Sequence, residues 1–153
     1  MRLAITILCL LIITASCSRA GAPRTAPEIL GVRLGAGRDE ATKLLREIGR
    51  LEKEERKQQE VWALRDHPSY SHLIVSYDKE YKGVRFVTAV AKEGGRPVRY
   101  DEVIDTGKAR KEQAGQSVTY TLTVQAQGGR PGYVVKAIGD PERLNYYSVE
   151  RLD

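Results

Sequence analysis

Beyond residue 17 this chain has no cysteine: of its 153 residues only Cys9 and Cys17 are cysteine, both near the start. The chain after Cys17 therefore folds without a disulfide and offers no thiol nucleophile. Histidine is scarce too, at His67 and His72 alone. A His-x4-His spacing across a turn with Pro68 is not a zinc arrangement, which wants further Cys, His or carboxylate ligands at fixed intervals. No metal site is expected, and both histidines read as turn residues near the surface. No Gly-x-Ser-x-Gly elbow occurs, and Ser69, Ser71 and Ser76 near the histidines do not amount to a triad. The net charge of +5 is spread along the chain and lacks the Lys/Arg clustering of a nucleic-acid face. No catalytic residue, cofactor or small-molecule substrate is assigned, and the chain reads as a non-enzyme.

What is present begins with a leader. Met1-Arg2 is a short positive start, and Leu3 to Ile13 is an apolar run broken only by Thr6. Its eleven residues rise about 16 Å as a helix, too little for a hydrocarbon core of about 30 Å. Small residues come at once after it, Thr14-Ala15-Ser16-Cys17, in the order of a secretory signal. This stretch resembles the bacterial lipoprotein signal, in which the cysteine after small residues carries the lipid; Thr14 departs from the aliphatic residue usual there. The resemblance implies lipid attachment at Cys17 and a domain facing the periplasm, and Ser18 implies an outer-membrane address where sorting follows the enterobacterial rule. Ordinary cleavage, after Ala20, releasing a soluble periplasmic protein, is the alternative. Residues 1–16 are then the signal peptide, 17–27 the lipidated cysteine and a Pro/Gly-bearing tether, and 28–153 one domain.

The domain opens on Gly31-Val32-Arg33-Leu34-Gly35-Ala36-Gly37-Arg38-Asp39-Glu40. Val32 to Leu34 reads as an extended lead-in and Gly37 as a helix N-cap, with Glu40 placed to bond back to the cap and Asp39 and Glu40 favoured by the helix dipole. Ala41, Leu44, Leu45 and Ile48 form one apolar stripe, and Gly49 is expected to end the helix in a left-handed conformation. Arg50 to Glu60, nearly all charge and amide, reads as a solvated connection. Val61–Leu64, Leu73–Tyr77 and Val84–Ala91 predict a three-stranded antiparallel meander. The expected class is α+β: an antiparallel sheet packed against one main helix, as an α-βββ unit with a candidate duplication into subunits 31–91 and 98–153.

For that duplication, a shift of 62 residues sets Asp39-Glu40 on Asp101-Glu102, Leu73 and Val75 on Val135 and Ala137, and Val87 on Val149. Alternation of Val118, Tyr120, Leu122, Val124 and Ala126 with threonine and glutamine is the strongest strand signal in the chain. Tyr133–Ile138 and Asn145–Val149 predict two more strands, while residues 101–113 make a poor helix.

The order Val-Arg-Leu-Gly, a helix with Asp39-Glu40 in its first turn, a strand with Trp62, then Leu73–Asp78 and Val84–Val90, resembles the BamE (SmpA/OmlA) family of outer-membrane lipoproteins of the β-barrel assembly machinery. It also resembles the tandem modules of β-lactamase inhibitor protein. Either resemblance implies an envelope scaffold or protein-binding surface, and no family contact residue is carried over.

Gly35-Ala36-Gly37-Arg38 reads as turn and cap rather than a phosphate cradle, since Asp39 and Glu40 repel an anion there. Asp101, Glu102 and Asp105 read as a solvated face. Tyr70, Tyr81, Tyr146 and Tyr147 fall at turns or in the terminal strand, where an amphipathic ring serves a protein partner. The expected function is a lipid-anchored, non-catalytic binding or scaffolding module of the cell envelope, its partners the membrane and envelope proteins, with inhibition of an extracytoplasmic enzyme as the alternative.

Overall fold

A computed structural model describes residues 28–55, 58–79, 83–127 and 129–152. In chain order the elements are β1 (Glu28–Ile29), β2 (Val32–Arg33), α1 (Arg38–Ile48), β3 (Gly49–Glu55), β4 (Gln59–Leu64), β5 (Tyr70–Tyr77), β6 (Val84–Ala91), α2 (Tyr100–Val103), β7 (Arg110–Ala114), β8 (Ser117–Val124), β9 (Tyr133–Gly139) and β10 (Leu144–Arg151). Eight strands form one antiparallel sheet in the order β3-β4-β5-β6-β10-β9-β8-β7, and β1 pairs with β2 in a small hairpin. This corrects the α+β expectation: the protein is mostly β, and the helices among the described residues are 11 and 4 residues long. The reason lies at the two sheet edges. Gly49–Glu55 and Arg110–Ala114 are edge strands, exposed along nearly their whole length. A strand wetted on both faces carries no apolar alternation, and its charges discourage pairing with another chain. The stretch expected as a solvated connection is therefore an edge hairpin, and each half contributes four strands instead of three.

Element order repeats: a helix and a four-strand meander, twice, with the last strands β6 and β10 joined at the sheet centre. Register runs unbroken across this join. Trp62, Leu73, Ala89, Tyr147, Ala137 and Tyr120 are successive cross-strand neighbours on one face. That face is the core side, where Leu45 of α1, Ile29 and Val32 of the hairpin and Tyr100 of α2 close a single cluster.

Helix α1 forms as its stripe dictates, with Ala41 and Leu45 buried and Leu44 and Ile48 packed against the core. Gly37 is its N-cap, in extended conformation. Glu40 pairs with Arg33 at 3.3 Å. The left-handed stop expected at Gly49 is corrected: Gly49 has φ −153° and begins β3. Glycine is required there for space, because a Cβ would lie 2.7 Å from the Ala63 carbonyl oxygen. Arg65 finishes the helix instead, donating Nη2 to the carbonyls of Arg46 at 2.5 Å and Gly49 at 2.8 Å. A cation on those orphan carbonyls also meets the negative end of the helix dipole.

Candidate functional site

Because α1 turns directly into β3, the start of the helix lies over the far end of the strand, and Arg38 reaches Glu54 and Glu60. Glu60 alternates with Trp62 on the core face of β4 and is only 3% exposed. Its Oε1 accepts Arg38 Nη2 at 2.6 Å and Nε at 3.1 Å. Its Oε2 accepts Trp62 Nε1 at 2.9 Å and the Tyr77 hydroxyl at 3.0 Å. Arg38 also donates to Glu54 at 2.9 Å, and its guanidinium lies 5.0 Å from the Tyr77 ring centroid. The bonds to Glu54 and then Glu60 push the Arg38 pKa above its ordinary value. Burial, followed by the Glu60 charge, holds the Tyr77 hydroxyl protonated far above its usual range. With four donors on two oxygens, Glu60 has no acceptor site left for general-base work. Sequence reading placed Glu60 in a solvated connection; its position two residues before Trp62 in the strand was the signal that it shares the buried face.

Beside this network, between α1 and the β3–β4 edge, a cleft of about 820 Å³ opens to solvent. Leu51, 42% exposed, supplies its apolar surface, with the buried Trp62 as its cross-strand neighbour. Arg46 and Arg65 gather at the end near Gly49, while Asp39, Glu54 and the Arg38–Glu60 pair occupy the other; the Arg50 guanidinium turns to the opposite face of the sheet, where it meets Glu52 beside His72.

The structure divides the four candidate tyrosines. Tyr70 is 7% exposed and lies in the core cluster. Tyr147 also packs inward; its ring stands 5.8 Å from that of Tyr70, and the two hydroxyls are hydrogen-bonded to each other. Burial raises both phenol pKa values. Only Tyr146 faces solvent, and Tyr81, like Cys17, lies outside the described residues.

Tyr146 belongs to the other face of the sheet. No helix of the described residues packs there, and the register lines up Val61, Ile74, Thr88 and Ser148 in one row and His72, Val90, Tyr146 and Ile138 in the next. Phe86 and Val134 flank Glu150 in a third. The apolar side chains of these rows other than Tyr146 are half-buried, and Thr88 and Ser148 at the centre are buried. Among the described residues two large hydrophobic side chains stand out as exposed, Leu51 at 42% in the cleft and Tyr146 at 39% on this open face. They mark the two candidate surfaces.

The histidines serve local structure. His67 Nδ1 accepts the backbone N–H groups of Ser69 at 3.2 Å and Tyr70 at 3.0 Å, which ties the turn entering β5. His72 bridges Ser71 Oγ at 3.0 Å and Glu52 at 3.1 Å on the open face. That Ser–His–Glu row resembles a triad in composition, but Glu52 is exposed and the half-buried Ser71 hydroxyl also faces the Val90 and Ala91 carbonyls of β6. Gly35 donates its N–H to the Val84 carbonyl, so that backbone group is spent on β6 rather than offered to an anion. Glu102 caps α2 by accepting the Arg99 N–H and pairs with Arg96; these bonds hold its carboxyl below the usual range. Asp105 pairs with Lys108, and Asp101 with Arg99. Among the described residues no group of three or more metal-ligating side chains occurs. Comparison with protein-family models, curated proteins and solved structures found no match.

Proposed function

We propose that this chain is a non-catalytic binding module of the bacterial cell envelope, anchored by lipid at Cys17, whose docking surface is the helix-free face of the eight-stranded sheet. The observation that carries the docking surface is the one-sided covering of the sheet. Both helices and the β1–β2 hairpin lie on one face, leaving Val61, Ile74, Phe86, Val90, Val134, Ile138 and Tyr146 together on the other. An apolar, threonine-lined face with a solvent-exposed aromatic suits a protein partner offering a complementary apolar patch. The leader supplies the anchor. A tether then confines the domain near membrane-bound partners, so a modest intrinsic affinity suffices. Without the signal peptide and its Arg2 the charge is 24 − 20 = +4, which adds attraction to anionic envelope polymers, screened over about 8 Å at physiological salt.

The repeated helix-then-meander order favours one second reading, inhibition of an extracytoplasmic enzyme, through the likeness to the tandem modules of the inhibitor protein. Crosslinking in the native envelope and then mass spectrometry reads the Cys17 lipid and the partner together. An integral or lipid-anchored envelope protein as the stoichiometric partner supports the scaffold, and a secreted enzyme supports the inhibitor. Acyl-free protein with no reproducible partner overturns the proposal.

A further inference from the structure

The two edges of the sheet carry an inference independent of the open face. β3 and β7 each have a strand neighbour on one side only. Among the described residues no backbone hydrogen bond outside the sheet falls on Arg50–Glu54 or Arg110–Ala114. Because every strand is antiparallel to the next, the first and last of the eight run in opposite directions. A second copy set alongside without being turned over therefore brings its β7 antiparallel to β3 and continues the sheet.

Charge singles out one register for that junction. With Glu55 opposite Arg110 of the second copy, Glu54 falls opposite Lys111 and Lys53 opposite Glu112. Faces agree as well as signs. Glu54 and Lys111 lie in the core-side rows of Glu60 and Tyr120, while Lys53, Glu55, Arg110 and Glu112 lie in rows of the open side. A slip of two residues, the smallest that keeps the faces, sets Glu55 on Glu112 or Lys53 on Arg110. A second β3 centred on β3 meets Lys53 with Lys53 or Glu54 with Glu54, and a second β7 meets β7 with Lys111 on Lys111 or Glu112 on Glu112. The charges that discourage these pairings leave the one mixed junction open. Within each copy Lys53 already pairs with Glu55 and Arg110 with Glu112, so the junction gathers four charges of alternating sign.

We infer that this chain self-associates head to tail, β3 of one copy adding to β7 of the next. Main-chain hydrogen bonds supply the affinity, and the exposed charges, each worth little alone, choose the partner edge and the register. The contact is heterologous, so each added copy presents a fresh edge and the assembly is open-ended.

The test uses the full chain in detergent with Cys9→Ser and Cys17→Ser, which leaves it without cysteine. Single cysteines are then placed in separately purified copies, since directly opposed residues stand close enough for a disulfide. On oxidation with copper phenanthroline, Glu55→Cys mixed with Arg110→Cys is expected to cross-link, as is Lys53→Cys mixed with Glu112→Cys. Both yields are expected to exceed that of the out-of-register mixture, Glu55→Cys with Glu112→Cys, by roughly five-fold. Adding Lys53→Glu to the Glu55→Cys copy is expected to cut its yield with Arg110→Cys about as much, and adding Glu112→Lys to the Arg110→Cys copy to restore it. Lys53, Glu55, Arg110 and Glu112 are exposed, and an unchanged urea midpoint shows that each variant folds. Rescue by a change in the other molecule is a result that a role inside one copy does not produce. Equal yields in and out of register, or a loss that Glu112→Lys fails to restore, overturn the assignment.

Discussion

Val87 of β6 and Val149 of β10 are direct cross-strand partners, and they are also the residues equated when the sequence is shifted by 62 positions. A two-fold axis relating two halves of an antiparallel sheet has to pass between such a pair. The neighbouring pairs obey the same rule, since Phe86 faces Glu150 and Thr88 faces Ser148. Asp39-Glu40 and Asp101-Glu102, equated by the same shift, both occupy helix first turns. An axis through that pair would stand perpendicular to the sheet and keep both helices on one side, and no helix of the described residues packs on the other.

Arg38 and Glu60 form the least replaceable polar pair. Removing Arg38 alone leaves a 3%-exposed carboxylate without its counter-charge, and Arg38→Met is expected to cost about 3–5 kcal/mol. Arg38→Met with Glu60→Leu is expected to recover most of that, because two apolar groups of similar volume remove the stranded charge. Urea unfolding monitored by Trp62 emission measures both; a single variant within about 0.5 kcal/mol of wild type contradicts the buried-pair reading.

Leu45 is fully buried under α1. Leu45→Ala is expected to lose about 2–5 kcal/mol through transfer and cavity terms. A loss below about 0.5 kcal/mol in the same unfolding measurement would make the helix peripheral to the core.

His67 gives a pH dependence of defined sign. Burial first, then Arg96 and Lys92, lowers its pKa from the ordinary 6.5. As pH falls past 6.5 the unfolded chain therefore takes a proton before the folded one, and the histidine's contribution, complete above 6.5, is lost toward its lower folded value. The neutral Nδ1 is the acceptor for the Ser69 and Tyr70 N–H groups, which a doubly protonated ring cannot be. His67→Asn keeps an acceptor that does not titrate, so its stability is expected to fall less between pH 7 and the acid range. Parallel pH–stability curves for wild type and variant would contradict this.

Cys17→Ser is expected to move the chain from the membrane fraction to the soluble periplasm, read by cell fractionation. Unchanged fractionation removes the anchor.

Much of this fold is legible in the sequence where one face of an element is dry. The stripe Ala41–Ile48 marks α1, and alternation marks β5, β8 and β9, because burial on one side sorts apolar from polar residues with the period of the element. The edges are illegible for the same reason. Gly49-Arg50-Leu51-Glu52-Lys53-Glu54-Glu55 is wetted on both sides, and nothing in its composition separates an edge strand from a loop. Gly49 misleads because a glycine needed for closeness to the Ala63 carbonyl looks the same as one needed for a left-handed turn. Of the site, Tyr146 is visible as an aromatic in the last strand, whereas the cleft depends on α1 folding back over β3, which no local pattern encodes. Tyr70 looks like a turn residue but packs inward, because β5 begins at it and carries its ring onto Tyr147.

The docking claim is tested most directly by a photo-crosslinking residue placed in turn at Ile138, at Tyr146 and at Lys43, in the full chain within its native envelope. Ile138 and Tyr146 lie on the open face, and Lys43 is exposed on α1. The same discrete adduct is expected from positions 138 and 146 and none from 43, with the adduct lost when Phe86→Lys is added beside them on the sheet. Adducts that form equally from position 43, or that survive Phe86→Lys in a folded chain, would contradict a partner seated on the helix-free face.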